Sequence, residues 1–294
     1  MSSSPTTDDF SPATRRGIPT RRWVGVQESL GPDTVIAEEP LQILLNGQPL
    51  TVVMRTPGQD VELALGLLHN EGFVTSRDEL ASLALPAGLS APAGVRTEVL
   101  VFEENVVDVR LARPLQLADA GWQRHLLSAS GCGVCGAATL EALEKSWPAV
   151  KMGQAVATDV LYRLPGILRE RQSLFDVTGG VHAAGLFTLT GQLIWLAEDV
   201  GRHNAVDKLV GRALLERRLP MADQVLVLSG RAGFELVQKA AAAGIPIVAS
   251  VSAPSSLAVQ TAQHFGITLV AFLRQDRMNV YTAPERIGRH GQTA

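Results

Sequence analysis

Two apolar runs, Leu41-Gln42-Ile43-Leu44-Leu45 and Leu50-Thr51-Val52-Val53-Met54, flank Asn46-Gly47. That dipeptide tolerates positive φ, so the stretch predicts a tight β-hairpin. Pro57-Gly58 then breaks the chain, Asp60 is placed to cap, and Val61, Ala64, Leu65 and Leu68 recur at helical spacing until Gly72. This predicts a short buried helix. A second strand pair is predicted over 97–102 and 106–111. Together these elements describe a small α+β unit.

The pattern changes in the second half. From residue 224 onward it predicts a strand (225–228), a glycine-containing loop, a helix (234–243), a strand (246–251), a Pro/Ser loop, a helix (257–265) and a strand (268–273). Strands alternating with helices across short loops predict a mixed, largely parallel sheet with right-handed crossovers. Upstream, Val206, Leu209, Val210, Ala213 and Leu214 share one face of an amphipathic helix over 205–217. A helix is also expected over 137–147. The reading is an N-terminal tail (1–22), an α+β subdomain (23–127) and an α/β domain (128–294).

Composition narrows the class. The chain has 294 residues, 46% of them hydrophobic and 19% charged, which is enough to bury a full core. A net charge of -3 excludes the strongly basic footprint of a general nucleic-acid binder. No apolar run reaches the roughly 18 to 20 residues of a membrane-spanning helix. Arg15-Arg16 and Arg21-Arg22 are not followed by an apolar stretch, and Asp8-Asp9 argue against a transit peptide, so the tail reads as flexible and the expected location is the cytoplasm. Two cysteines are too few for a disulfide-stapled fold.

Both cysteines lie in Gly131-Cys132-Gly133-Val134-Cys135-Gly136, just before the 137–147 helix pattern. A thiol at a helix N-terminus has its thiolate favoured by unpaired backbone N–H groups, which makes an accessible, reactive sulfur. Half of a zinc site, a thioredoxin-like dithiol and inert structural cysteines are the competing readings. The zinc reading would use Cys132, Cys135 and His182. The segment around His182 resembles the His-x-Glu of zinc deaminases, but Ala184 stands where their proton-shuttling Glu would be. The alternative reading of His182 is a core or loop histidine bonded to backbone.

Three further strings carry candidate chemistry. Glu198-Asp199-Val200-Gly201-Arg202-His203-Asn204 packs two acids, an Arg and a His around a helix start, which suits either anion binding or an ordinary charged cap. Ser229-Gly230-Arg231-Ala232-Gly233 is similar to a phosphate-cradling turn but matches neither GxGxxG nor the Walker pattern. Phe272-Leu273-Arg274-Gln275-Asp276-Arg277 leaves the carboxyl end of the last strand, where open parallel sheets bind ligands and two guanidinium groups suit a pyrophosphate.

Taken together, GCGVCG (131–136), FDVTGGVHAAGLF (175–187), EDVGRHNAVDKLVG (198–211) and the SAPSSLAV and NVYT segments resemble the formate dehydrogenase accessory sulfurtransferases, the FdhD family, over about residues 39–282. The resemblance implies a homodimeric sulfur carrier with a cytidine-deaminase-like α/β/α core. Such a carrier takes sulfane sulfur from a cysteine desulfurase. It passes the sulfur to the molybdenum or tungsten bis(molybdopterin guanine dinucleotide) cofactor of formate dehydrogenase, carried as cargo, with no permanent metal. Matched by position, Cys132 bears the persulfide, and Phe272, Leu273, Arg274, Gln275, Asp276 and Arg277 belong to the cofactor-binding segment. Cys135 is expected to assist. A cofactor chaperone without sulfur chemistry is the other alternative.

Overall fold

The computed structural model describes residues 14–86, 94–100, 105–112, 147–151 and 153–288. It opens on a long hairpin, β1 (Arg15–Val24) and β2 (Gln27–Ile36), turned at Gly25 with φ 61°. The flexible tail expected over 1–22 is therefore corrected from Arg15 onward. Ten facing residue pairs and cross-strand contacts such as Arg21 Nη1 to Glu28 Oε1 at 3.0 Å hold the ribbon together. Its Ser, Thr and Pro content suggested only disorder, because most of its side chains are exposed on both faces.

Strands β3 (Glu39–Leu45) and β4 (Gln48–Arg55) form the hairpin expected around Asn46-Gly47, both residues having positive φ. They join β5 (Leu80–Pro86), β6 (Thr97–Leu100) and β7 (Val106–Leu111) in a five-stranded sheet of order β4-β3-β7-β5-β6. The two strands expected to pair over 97–102 and 106–111 both exist, but β5 lies between them. Helix α1 (Asp60–Asn70) covers this sheet with Leu63, Leu65 and Leu68. Asp60 does not cap α1. Its carboxylate instead accepts from Arg55 Nε at 3.0 Å and Nη2 at 2.9 Å, a buried bidentate pair, and Gln59 in the left-handed region takes the cap position.

The second unit contains β8 (Val156–Ala157), α2 (Thr158–Glu170), α3 (Ser173–Thr178), β9 (His182–Thr188), β10 (Leu193–Asp199) and α4 (Arg202–Leu215). It continues with β11 (Gln224–Leu228), α5 (Phe234–Ala242), β12 (Ile247–Ser250), α6 (Ser256–Phe265), β13 (Thr268–Ala271), β14 (Asn279–Val280) and β15 (Ile287–Gly288). The alternating pattern after residue 224 is found as predicted, with Ser255 Oγ accepting from Ala258 N to cap α6. The six-stranded sheet has the order β10-β9-β11-β12-β13-β14. The sheet is mixed, as expected, but only β11–β12 and β12–β13 are parallel, so the expectation that it is largely parallel is corrected. The cause is the β9–β10 hairpin, turned at Gly191 with φ 89°, which adds two antiparallel pairings. Helices α4, α5 and α6 cover one face over Leu226, Val248 and Leu269, and α2 covers the other over Phe187, Val227 and Val270. Three layers, α/β/α, result. Among the described residues no helix is long and apolar enough to cross a membrane.

The two units share a core. Leu214 and Leu215 of α4 pack into the N-terminal apolar cluster, and α1 crosses α4 with backbone against backbone at Gly66 and Gly211. Asn70 Nδ2 donates to Asp207 Oδ1 at 2.6 Å across this crossing. The boundary expected near residue 127 and the helix expected over 137–147, apart from Trp147, lie outside the described residues.

Candidate functional site at the carboxyl edge of the sheet

The sheet register brings several of the candidate strings to one edge. β11, β12 and β13 end there, leading into 229–233, 251–255 and 272–277. Because β9 runs antiparallel to β11, its first residue His182 lies at the same edge, and β10, antiparallel to β9, ends there with Asp199 opposite His182. Helices α4, α5 and α6 also begin at this edge, so their unpaired N–H groups face it. The loops are tied to each other. Ala183 N donates to Ser229 Oγ at 2.8 Å, Ser250 Oγ donates to Gly230 O at 2.6 Å, and Leu273 N donates to Ser250 O at 3.0 Å.

Two clefts open on either side of Pro165 in α2. One, of 490 Å³, is lined by Arg169, Phe175, Gly180, His182 and Ser229 among others. The second, of 530 Å³, lies against Gly166 and residues 274–277. The wall of the first cleft is pinned by Glu198, whose carboxylate accepts from Leu174 N and Phe175 N, each at 3.0 Å. Burial pushes the Glu198 pKa up, and the two N–H groups oppose that.

Asp199 is fully buried and ties the edge to the N-terminal unit. Oδ2 accepts from Lys208 Nζ at 2.7 Å and Thr56 N at 3.2 Å, while Oδ1 accepts from Gly201 N at 2.8 Å and Asn204 Nδ2 at 2.9 Å. Lys208 Nζ also donates to Thr56 O at 3.1 Å. Four donors around one carboxylate satisfy a charge that would otherwise be costly to bury. Thus the Glu198-Asp199 half of the string is structural, and only Arg202 and His203 remain for other chemistry.

His182 and His203 flank Arg202. A Cβ at Gly230 would lie 3.3 Å from His182 Nδ1, so glycine there leaves room for the ring. Burial, then the charge of Arg202, lowers the His182 pKa. His203 is lowered from 6.5 to about 4, by burial first and then by Lys239, Arg202 and His182. Glu235 Oε2 stands 3.1 Å from His203 Nε2, yet that carboxylate is half exposed and screened, so burial wins and the neutral ring donates to it. The unfolded chain, whose histidine is unperturbed, binds more protons than the folded one as pH drops below 6.5. Stability is therefore expected to fall between pH 6.5 and about 4, and to fall less in His203→Gln, which keeps a donor to Glu235. Urea midpoints across that range test this; equal slopes in both proteins would exclude His203 as the cause.

Of the residues singled out in the sequence, Cys132 and Cys135 lie outside the described residues. Within 272–277, Phe272 is 41% exposed with φ 52°, and Gln275, Asp276 and Arg277 also reach solvent. Leu273 is turned into the core beneath α2. Arg274 is exposed but committed, with Nη1 donating to Val251 O and, at 2.9 Å, to Leu273 O, while its N–H closes a turn on Arg277 O at 2.9 Å. Among the described residues neither Arg274 nor Arg277 forms an ion pair with Asp276 or Glu285. The sequence reading missed α2, which separates the clefts, although Val160, Leu161, Leu164 and Leu168 carry a helical period. It also missed α3.

The model of the FdhD/NarQ family matches residues 36–288. The chain belongs to this family. It is 49% identical over 262 residues to the sulfur carrier protein FdhD of Streptomyces coelicolor, covering 88% of this chain and 90% of that one. It is 47% identical over 258 residues to that of Mycobacterium tuberculosis (87% and 92%), and 43% identical over 263 residues to that of Sulfurisphaera tokodaii (88% and 94%). Its fold is similar to the crystal structure of a protein described as a formate dehydrogenase accessory protein from Desulfotalea psychrophila, with TM-score 0.70 and 26% identity over 94% of this chain and 100% of that one. The FdhD/NarQ match begins at the end of β2, so the exposed hairpin lies almost wholly ahead of it, whereas the whole carboxyl edge is inside.

Proposed function

We propose that this protein is a sulfur carrier for the maturation of formate dehydrogenase. The observation that carries the reading is identity of 43–49% to proteins named sulfur carrier protein FdhD, over nearly the whole chain. In this reading the Cys132 thiolate attacks the outer sulfur of a persulfide on a cysteine desulfurase, the donor's thiolate leaves, and Cys132 becomes the persulfide. The sulfur then passes to the bis(molybdopterin guanine dinucleotide) cofactor of molybdenum or tungsten, which is cargo. Cys135 assists release by attacking the inner sulfur and expelling hydrosulfide, which leaves a disulfide that a dithiol reductant reopens. The protein acts as a cytoplasmic homodimer, and its three-layer core is read as cytidine-deaminase-like.

The chain's own residues fit the nucleotide end of such cargo. Phe272 presents an exposed ring beside Gln275, Asp276 and Arg277 at the carboxyl edge, a combination suited to stacking on a base and bonding its edge. Incubation with a cysteine desulfurase and cysteine, followed by mass spectrometry of the 131–136 peptide, tests the reading. A gain of one sulfur mass on Cys132 is expected. An unmodified peptide under conditions that load the desulfurase itself would overturn it.

A further inference from the structure

Cations at the carboxyl edge differ in what already holds them. Lys239 Nζ is paired with Asp207 at 2.6 Å, Arg169 with Asp176 at 2.6 Å, and Arg274 with carbonyl oxygens. Arg231 and Arg277 are exposed. Arg202 is different. It is only partly exposed, its Nε is buried without a hydrogen-bond partner, and among the described residues it forms no ion pair. A shielded guanidinium with no counter-charge is costly and calls for an anion. It stands where β10 ends and α4 begins, with His203 next in sequence and His182 near enough to feel its charge.

We propose that Arg202, flanked by His182 and His203, holds the diphosphate of a guanine nucleotide, and that binding takes up a proton. This rests on the nucleotide cargo of the proposed function and moves the phosphate contact away from Arg274 and Arg277. A guanidinium fork matches two phosphate oxygens. His182 lines the first cleft beside Ser229, so a diphosphate held between His182 and Arg202 would border that cleft. Four strand spacings, roughly 19 Å, separate β10, which leads into Arg202, from β13, which leads into 272–277. That span does not let one diphosphate reach both Arg202 and Arg277.

The proton uptake follows from the partners of His203. Its neutral ring spends Nε2–H on Glu235, leaving Nδ1 as an acceptor, so the ring can donate to an anion only after gaining a proton. Arg202, His182 and Lys239 now oppose that proton, and Asp207 answers Lys239. Asp199 favours a proton on His182 but is itself saturated by donors. A bound diphosphate offsets the cations, so the imidazole pKa should rise on binding.

Calorimetry with inorganic pyrophosphate, GDP and guanosine, on the full chain at pH 6 and fixed ionic strength, tests this. In buffers of different ionisation enthalpy, pyrophosphate and GDP should bind with net proton uptake, while guanosine should not. Arg202→Gln should weaken pyrophosphate and GDP by about 10- to 100-fold and Arg202→Lys by less, while Arg277→Ala should leave the affinity for pyrophosphate, which has no base, within about twofold. Ring-proton NMR of wild type should show the His203 pKa rising with pyrophosphate, a readout that needs no variant. Absence of that rise, or unchanged affinity in folded Arg202→Gln, would overturn the proposal. So would a loss that follows Arg277 instead. Persulfide loading of Cys132, measured on the same samples, separates the two claims: intact loading without pyrophosphate binding defeats only this inference, and lost loading with intact binding defeats only the sulfur reading.

Discussion

Replacing Gly66 or Gly211 with alanine is expected to leave little stable protein. A Cβ on Gly66 would stand 1.8 Å from Asp207 O, and one on Gly211 1.8 Å from Glu62 O. These are backbone atoms inside helices, so no side chain can swing aside. The helices α1 and α4 would have to part, breaking the Asn70–Asp207 bond and withdrawing Leu214 and Leu215 from the N-terminal core. Ordinary overpacking costs about 1–3 kcal/mol, and a clash between two backbones belongs above that range, at about 4 kcal/mol or more. Such a loss is a large share of the roughly 5–15 kcal/mol that holds a typical domain folded. Gly166→Ala is the control. It lies in α2 with nothing within 4 Å of its would-be Cβ, so stability should hold or rise slightly. Urea midpoints and soluble yields would decide the matter, and a Gly66→Ala midpoint equal to wild type would show that the crossing tolerates separation.

Formate dehydrogenase activity is expected to fall to background in cells whose only copy carries Cys132→Ala, while the variant accumulates as wild type does. In the proposed reading the substitution removes the nucleophile that accepts the sulfur, and Cys135 acts on the loaded persulfide rather than receiving it. Cys135→Ala should therefore load persulfide but deliver it poorly. Full dehydrogenase activity with Cys132→Ala would end the sulfur-transfer reading. Full activity only with Cys135→Ala would reduce that residue to a bystander. Since the dehydrogenase polypeptide is made in either case, its activity reports on maturation rather than on expression, provided its abundance is measured alongside.

The elements, the family and the two glycines were legible to different degrees. Alternation and helical spacing placed β3, β4, α1, α5 and α6 within a few residues, because each buries one face and that face sets a local period. Ser255 and Asn46-Gly47 marked boundaries through chemistry confined to neighbouring residues. The family was likewise readable, since its strings are a matter of local composition and order. The β9–β10 hairpin left a signal, two apolar runs around Thr190-Gly191-Gln192, that the helix-and-strand alternation further on obscured. Other features had no local signature. Gly66 and Gly211 are unremarkable until two helices distant in sequence touch. Asp60 has the look of a helix cap, and only Arg55, folded back from β4, makes it an ion-pair partner. In EDVGRHN the sequence supplied a cluster of charges without roles. Tertiary packing assigned Asp199 to Lys208 and Thr56, and left Arg202 shielded and, among the described residues, without an ion pair, because burial and counter-charge are properties of the folded neighbourhood and not of the string.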